Sequence, residues 1–142
     1  MDKGTLVREQ LDGGEKLITR LVTNQFAVSA AGWVATTDDG QPYLHIASPE
    51  ADEKGLQYAY GALAKALDGL DADASHWMER IDSADVKMLR TTEPLARGLA
   101  DVNRRYPGPC PTWFNGPDLG GVAIDGAYLY PLALFQPQPA VG

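Results

Sequence analysis

The hydrophobic positions near the start of the chain recur at helical spacing. From about residue 2 to residue 23, apolar side chains return every three or four positions with charges between them: Leu6, Val7, Leu11, Leu17, Ile18, Leu21 and Val22. This period predicts an amphipathic helix with one buried stripe. Gly14 lies on that stripe, where the missing side chain allows a strand or another helix to approach closely.

The pattern changes to alternation between Val28 and Ser48, which is typical of a β-hairpin. Asp38-Asp39-Gly40 supplies the turn, and a three-residue loop there places Thr37 opposite Gln41. Counting outward gives the predicted pairs Val34 with Leu44, Gly32 with Ile46, Ala35 with Tyr43, and Trp33 with His45. The aliphatic side chains then share one face and the aromatic ones the other.

A second hairpin is predicted from residue 121 to residue 130. Asp125-Gly126 stands between two short strand-like runs, and this dipeptide is a strong signal for a two-residue turn. In this register the aliphatic face carries Val122, Ile124 and Leu129. The phenol rings of Tyr128 and Tyr130 lie on the other face, over small cross-strand neighbours.

Together the two hairpins predict an aromatic sheet face made of Trp33, Tyr43, His45, Tyr128 and Tyr130. An uncovered patch of this kind is typical of a partner or dimer contact. The alternative is that a loop or second layer covers it, since tyrosine and tryptophan are also ordinary strand residues.

Start and stop signals predict two further helices. Ser48-Pro49-Glu50 gives an N-cap, a proline in the first turn and an acid, and Gly69 ends the helix that follows. The predicted buried stripe of this helix is Leu56, Ala59, Tyr60, Leu63, Ala66 and Leu67. Thr92-Glu93-Pro94 opens the next helix. Residues 86–90 and 112–114 are predicted as short strands, the latter at a sheet edge among prolines.

The order αββα(β)α(β)ββ mixes helices with hairpins instead of alternating them strictly with strands. It predicts a two-layer α+β domain whose mainly antiparallel sheet packs against about three helices. Residues 1–131 form this single domain, and residues 132–142 form an extended C-terminal tail.

Composition narrows the class of protein. The 142 residues are 44% hydrophobic and 22% charged, as in an average soluble globular domain, and no apolar run approaches the length of a membrane span. The first residues contain no apolar h-region, so no signal peptide is expected, and the single Cys110 excludes an intrachain disulfide; a cytoplasmic location is therefore expected. A net charge of −7 opposes nucleic-acid binding.

No catalytic, cofactor-binding or metal-ligating set is predicted. Asp71–Asp82 places oxygen-bearing side chains at several positions of a calcium loop, but His76 stands where the loop needs glycine and Asp82 is shorter than the usual glutamate. Cys110 lies between two prolines, away from any helix N-terminus that would activate its thiol.

The last third of the chain resembles the C-terminal signature of certain short uncharacterised bacterial proteins. The similar residues are Arg104-Arg105-Tyr106-Pro107-Gly108 and Leu119 to Pro131. No activity comes with this resemblance, so no residue role carries over.

These observations favour a nonenzymatic interaction module that binds a protein partner, or a second copy of itself, through the aromatic sheet face. The alternative is a small enzyme or ligand-binding protein with a pocket around Trp33, Tyr43, His45 and Tyr130, in which His45 is the only plausible general base.

Overall fold

The computed structural model describes residues 8–73 and 81–135. The helices are α1 (Arg8–Thr23), α2 (Pro49–Lys54), α3 (Leu56–Asp73) and α4 (Pro94–Arg105). The strands are β1 (Ala30–Thr36), β2 (Pro42–Ser48), β3 (Val86–Arg90), β4 (Thr112–Phe114), β5 (Asp118–Leu119) and β6 (Val122–Leu129). None of the described helices combines the length and apolar character needed to cross a lipid bilayer.

The start signals of the helices operate as the sequence predicts, but the predicted end at Gly69 is wrong, because α3 continues through Gly69 to Asp73. The Ser48 hydroxyl accepts a hydrogen bond from the Glu50 N–H at 3.1 Å, and Pro49 occupies the first turn of α2. Gly55 then adopts a φ of 91° and interrupts the helix, so α2 and α3 replace the single predicted helix. Pro94 begins α4, as expected from its sequence.

The sheet is mainly antiparallel, which confirms the α+β class. Its strand order is β3-β2-β1-β6-β4, and β5 pairs with β6 beside this path. Among the strand pairs described, β2 and β3 are the one parallel pair, joined by the crossover through α2 and α3, and the others are antiparallel.

Helices cover both faces of the sheet. On one face α1 and α3 pack against a core that contains Trp33, Leu44 and Ile46. On the other face α4 packs against Val34 and Ala47. The helix α4 therefore adds a third layer to the two predicted. The strand β1 is buried on both sides, so its sequence shows the lack of contrast between a core face and a solvent face that is typical of a covered strand.

The start of the predicted C-terminal tail belongs to the folded domain. Leu132–Leu134 forms a 3₁₀ turn, and Phe135 is buried against the core on the α1 side. Burying these apolar side chains outweighs the extended tendency of the proline-rich segment. Residues 136–142 of the predicted tail lie outside the described residues.

A buried hydrogen-bond chain connects the sheet to α1. The Trp33 Nε1–H donates to the Tyr130 hydroxyl at 3.0 Å, and that hydroxyl donates to the Leu11 carbonyl at 2.7 Å. Gly14 makes this possible, because a side-chain carbon at this position would overlap the Tyr130 oxygen. The close approach predicted at Gly14 is confirmed.

We expect Gly14→Ala to lower the free energy of unfolding by about 1 to 2 kcal/mol, because overpacking costs up to about 3 kcal/mol and the better helix propensity of alanine returns about 1 kcal/mol. Tyr130→Phe removes the oxygen that the new methyl group would strike. The two substitutions together should therefore cost less than the sum of the single effects, which urea denaturation of all four proteins measures.

Gly61→Ala is the matched control, since nothing lies within 4 Å of a side chain added there. In dilute protein it should raise stability by up to about 1 kcal/mol. Equal effects at Gly14 and Gly61 would contradict the role assigned to the close approach.

Candidate functional site

The first hairpin has a register shifted by one residue from the predicted one. Trp33 pairs with Leu44, and Val34 pairs with Tyr43. The connection runs from the end of β1 at Thr36 to the start of β2 at Pro42, which is longer than the three-residue loop expected. Because both faces of β1 are buried, the hydrophobic pattern does not select between the two registers.

The second predicted hairpin is wrong, because residues 122–129 form one continuous strand, β6. Ala35 pairs with Gly126 and Thr36 pairs with Ile124, so Asp125 is the extra residue of a β-bulge. The turn lies earlier, at Gly120-Gly121, where φ values of 60° and 90° suit a two-residue loop between β5 and β6. Gly126 has a φ of 137°, so its freedom serves the bulge instead of a turn.

These corrections divide the predicted aromatic face between the two sides of the sheet. Trp33, Tyr128 and Tyr130 share the side covered by α1, and Tyr43 and His45 lie on the opposite side. Trp33, His45 and Tyr130 are buried, whereas Tyr43 and Tyr128 are half-buried. The five side chains therefore do not form one exposed surface.

On the α1 side, the rings form a packed edge that includes Trp113 of β4. Trp113 meets Tyr128 edge to face with ring centres 4.8 Å apart, and Tyr128 meets Tyr130 in the same way at 5.3 Å. Burial, with Glu15 and Asp12 nearby, raises the pKa of Tyr128, and burial raises that of Tyr130. Both phenols therefore stay neutral and act as packing and hydrogen-bonding groups.

On the other side, His45 is held as a neutral imidazole. Burial lowers its pKa to about 4, and the Lys87 ammonium adds to the effect, although the hydrogen bond to the Tyr43 carbonyl opposes it. Nδ1 donates to that carbonyl at 3.0 Å, and no hydrogen bond within the described segments joins His45 to a carboxylate. The geometry gives no general-base dyad at His45.

Tyr43 faces Lys87 instead of a substrate pocket. The Lys87 Nζ lies 4.2 Å from the centre of the Tyr43 ring, a cation–π arrangement. The Asp39 carboxylate, with smaller effects of burial and Asp85, raises the pKa of the Tyr43 hydroxyl. The predicted pocket around Trp33, Tyr43, His45 and Tyr130 is therefore not formed, since these residues lie on opposite sides of the sheet.

The remaining candidates for chemistry stay isolated. Within residues 8–73 and 81–135, no group of three or more His, Cys, Asp or Glu side chains could hold a metal ion. Most of the calcium-like segment 71–82, including His76, lies outside the described residues. Cys110 is exposed. The buried Asn103 Nδ2 has no hydrogen-bond partner, and nothing in the described structure explains it.

The most distinctive surface lies on α3, which the sequence did not single out. Tyr60 was predicted to be buried, but it is 42% exposed while its hydroxyl accepts a hydrogen bond from the Met88 N–H at 3.1 Å. Tyr58 is 45% exposed, with the Lys54 Nζ 4.6 Å from its ring centre. The helical spacing placed Tyr60 in the predicted buried stripe, and this was wrong because a tyrosine can cover an edge and still face water.

A cavity of about 340 Å³ lies beside this surface, between α3 and the end of α1. Leu21, Phe26 and Ala62 supply the apolar part of its lining, and the other lining residues are Asn24, Gln25, Tyr58, Gly61 and Lys65. A larger groove of about 580 Å³ follows the outer side of α1, and it is more open and lined mostly by polar residues such as Asp12, Lys16 and Arg20.

Comparison with known proteins gives no further assignment, since no protein-family model, curated protein or solved structure matches the chain.

The buried His45 predicts a pH dependence of stability. In the unfolded chain the imidazole keeps its ordinary pKa of 6.5, whereas in the folded chain the value is about 4. Between these values the unfolded chain binds a proton that the folded chain does not, so stability falls as the pH falls from 6.5 to 4, by roughly 3 kcal/mol in total.

His45→Asn keeps a donor for the Tyr43 carbonyl and removes the titration. Between pH 6.5 and pH 4, the free energy of unfolding of the parent protein should fall by roughly 3 kcal/mol more than that of His45→Asn. The difference between the two proteins at pH 8 is the reference. Parallel pH curves for the two proteins would show that His45 is not held neutral.

Proposed function

We propose that the protein is a cytoplasmic, nonenzymatic self-association module that uses the outer face of α3. An interaction module acting through the sheet was expected, but both sides of the sheet are covered by helices. The contact surface is therefore assigned to a helix. The observation that carries the proposal is the combination of exposed tyrosines with an unexplained glycine on that helix.

The exposed tyrosines flank the outermost ridge of α3. Tyr58, Tyr60 and Tyr106 are the exposed large hydrophobic residues in the described part of the chain, and two of them belong to α3. Ala59, Leu63 and Ala66 point into the core, so the opposite side of the helix carries Gln57, Gly61, Ala64 and Asp68. Tyrosines beside a strip of small residues form a shallow groove, and tyrosine is enriched in interfaces.

Gly61 has no role in the packing among residues 8–73 and 81–135. Nothing lies within 4 Å of a side chain added there, in contrast to Gly14 and Gly98, where backbone or side-chain atoms leave no room. A glycine inside a helix costs about 1 kcal/mol relative to alanine. Close approach of a second molecule would explain why this helix position carries a glycine.

The charges on this helix also favour a contact. Between Leu56 and Gly69, α3 carries only Lys65 and Asp68 as charged residues, although its outer side faces water. Neither makes an ion pair with a described residue. A solvent-facing helix with so few charges is typical of one that docks.

A second copy of the chain fits this ridge. Two α3 helices crossing antiparallel about a two-fold axis place Gly61 against Ala64 of the second copy and Gln57 beside Asp68 of the second copy. The small residues lie at the crossing point, and the tyrosines close over it from both flanks. The surface is thus complementary to itself.

Gly61→Arg and Ala64→Arg should each abolish self-association, measured by sedimentation velocity over a range of protein concentrations, because a long charged side chain fills the crossing point. Gly108→Arg is the control, since Gly108 is an exposed glycine with open space around it, and this variant should associate like the parent protein. A parent protein that stays monomeric at millimolar concentration would contradict the proposal.

Substitutions at Gln57 test whether the two α3 helices cross antiparallel. Gln57→Lys adds an attraction to Asp68 of the second copy and should tighten association by roughly two- to tenfold, whereas Gln57→Asp should weaken it by a similar factor. Near the start of α3 an acid favours the helix and a cation does not, so stability of the monomer should change in the opposite sense. Association that follows monomer stability would argue against the antiparallel crossing.

A further inference from the structure

The cavity between α1 and α3 shares Tyr58 and Gly61 with the proposed contact surface of α3, and the rest of its lining comes from the end of α1 and from Ala62 and Lys65. Its volume of about 340 Å³ is at the lower end of the range for small-molecule sites. Leu21 is fully buried and Phe26 is 4% exposed, so the floor is apolar and fixed by the core. A ligand that enters must therefore bring an apolar body of modest size.

The end of α1 beside the cavity forms a Schellman-type cap. The Phe26 N–H donates to the Leu21 carbonyl and the Gln25 N–H to the Val22 carbonyl, both at 2.9 Å. In this cap the left-handed residue is normally glycine. Here it is Gln25, whose φ of 66° makes it the only residue other than glycine with a positive φ in the described segments.

The strained residue points to a use for its side chain. A residue with a side chain in the left-handed region costs on the order of 1 kcal/mol or more, and such residues cluster at binding sites. Gln25 contributes to the lining of the cavity, next to Asn24. Glycine would relieve the backbone but would remove a carboxamide from the cavity rim.

The rim offers hydrogen-bond donors in excess. The Arg20, Leu21 and Val22 carbonyls at the end of α1 already accept hydrogen bonds from Asn24, Phe26 and Gln25. Lys65 lines the cavity and makes no ion pair with a described residue. The groups left to recognise a ligand are therefore a cation and two carboxamides, which suit an acceptor with negative charge.

We propose that the α1–α3 cavity binds a small monocarboxylic acid, with its apolar body on Leu21, Phe26 and Ala62 and its carboxylate at Lys65 and Gln25. The net charge of −7 and the negative end of the α1 dipole oppose every anion, and they oppose anions with more than one charge most strongly. One lysine offsets these effects for a carboxylate but not for a phosphate monoester. The site is thus selective for singly charged acids.

The test is a nitrogen–proton NMR titration of the full chain with phenylacetate, 3-phenylpropionate and hexanoate, each compared with its neutral amide. The acids should shift the amide signals of Leu21, Phe26 and Ala62, and the best acid should bind about tenfold more tightly than its amide. Phenyl phosphate should bind more weakly than phenylacetate.

Two variants locate the carboxylate. Lys65→Met keeps the apolar stem and should reduce the preference for acid over amide to about twofold or less, whereas Lys87→Met on the other side of the sheet should leave the preference unchanged. Gln25→Gly should raise the unfolding temperature and weaken binding of the acid. If Gln25→Gly gains stability and binds the acid as tightly as the parent protein, Gln25 does not bind the carboxylate.

The proposal is overturned if none of the three acids shifts these signals up to its solubility limit, or if acid and amide bind equally. Ala64 does not line the cavity, whereas Tyr58 and Gly61 of the proposed contact do. At protein concentrations where the parent is monomeric, Ala64→Arg, which removes the proposed self-association, should therefore bind the acids like the parent protein. Failure of one proposal can therefore be distinguished from failure of the other.

Discussion

Burial of strand β1 on both faces is the constraint on which the rest of the structure depends. Every residue from Ala30 to Ala35 is buried, because α1 and α3 cover one side of the sheet and α4 covers the other. This explains the small side chains of the strand, since only Trp33 and Val34 are large, and each has a separate core to fill. It also explains why the exposed tyrosines, Tyr58, Tyr60 and Tyr106, lie outside the sheet.

The local signals of the sequence predicted much of the fold. The cap at Ser48, the proline start at Pro94 and the edge position of Thr112–Phe114 depend on neighbouring residues alone, and each is present in the structure. The same holds for Gly14, whose position on an apolar stripe has few explanations besides close packing. The α+β class follows from the order of these elements.

Pairing between strands was harder to predict, for a physical reason. Alternation fixes the register only when one face of a strand is wet, and the first hairpin has no wet face. Asp125-Gly126 was misread because positive φ serves a bulge as well as a turn, while Gly120-Gly121 contains the actual two-residue loop. One shifted register was enough to move Tyr43 and His45 across the sheet, so the predicted aromatic face could not be correct.

No sequence pattern indicated the cavity at the end of α1, because its lining comes from segments that are distant in the chain.

Tyr60 also has a consequence for how the protein avoids uncontrolled aggregation. The Met88 N–H on the outermost strand donates to the Tyr60 hydroxyl instead of offering itself to another chain. A β-strand from a neighbouring molecule therefore meets a phenol where it needs a free amide, and growth of a continuous intermolecular sheet is blocked on that side.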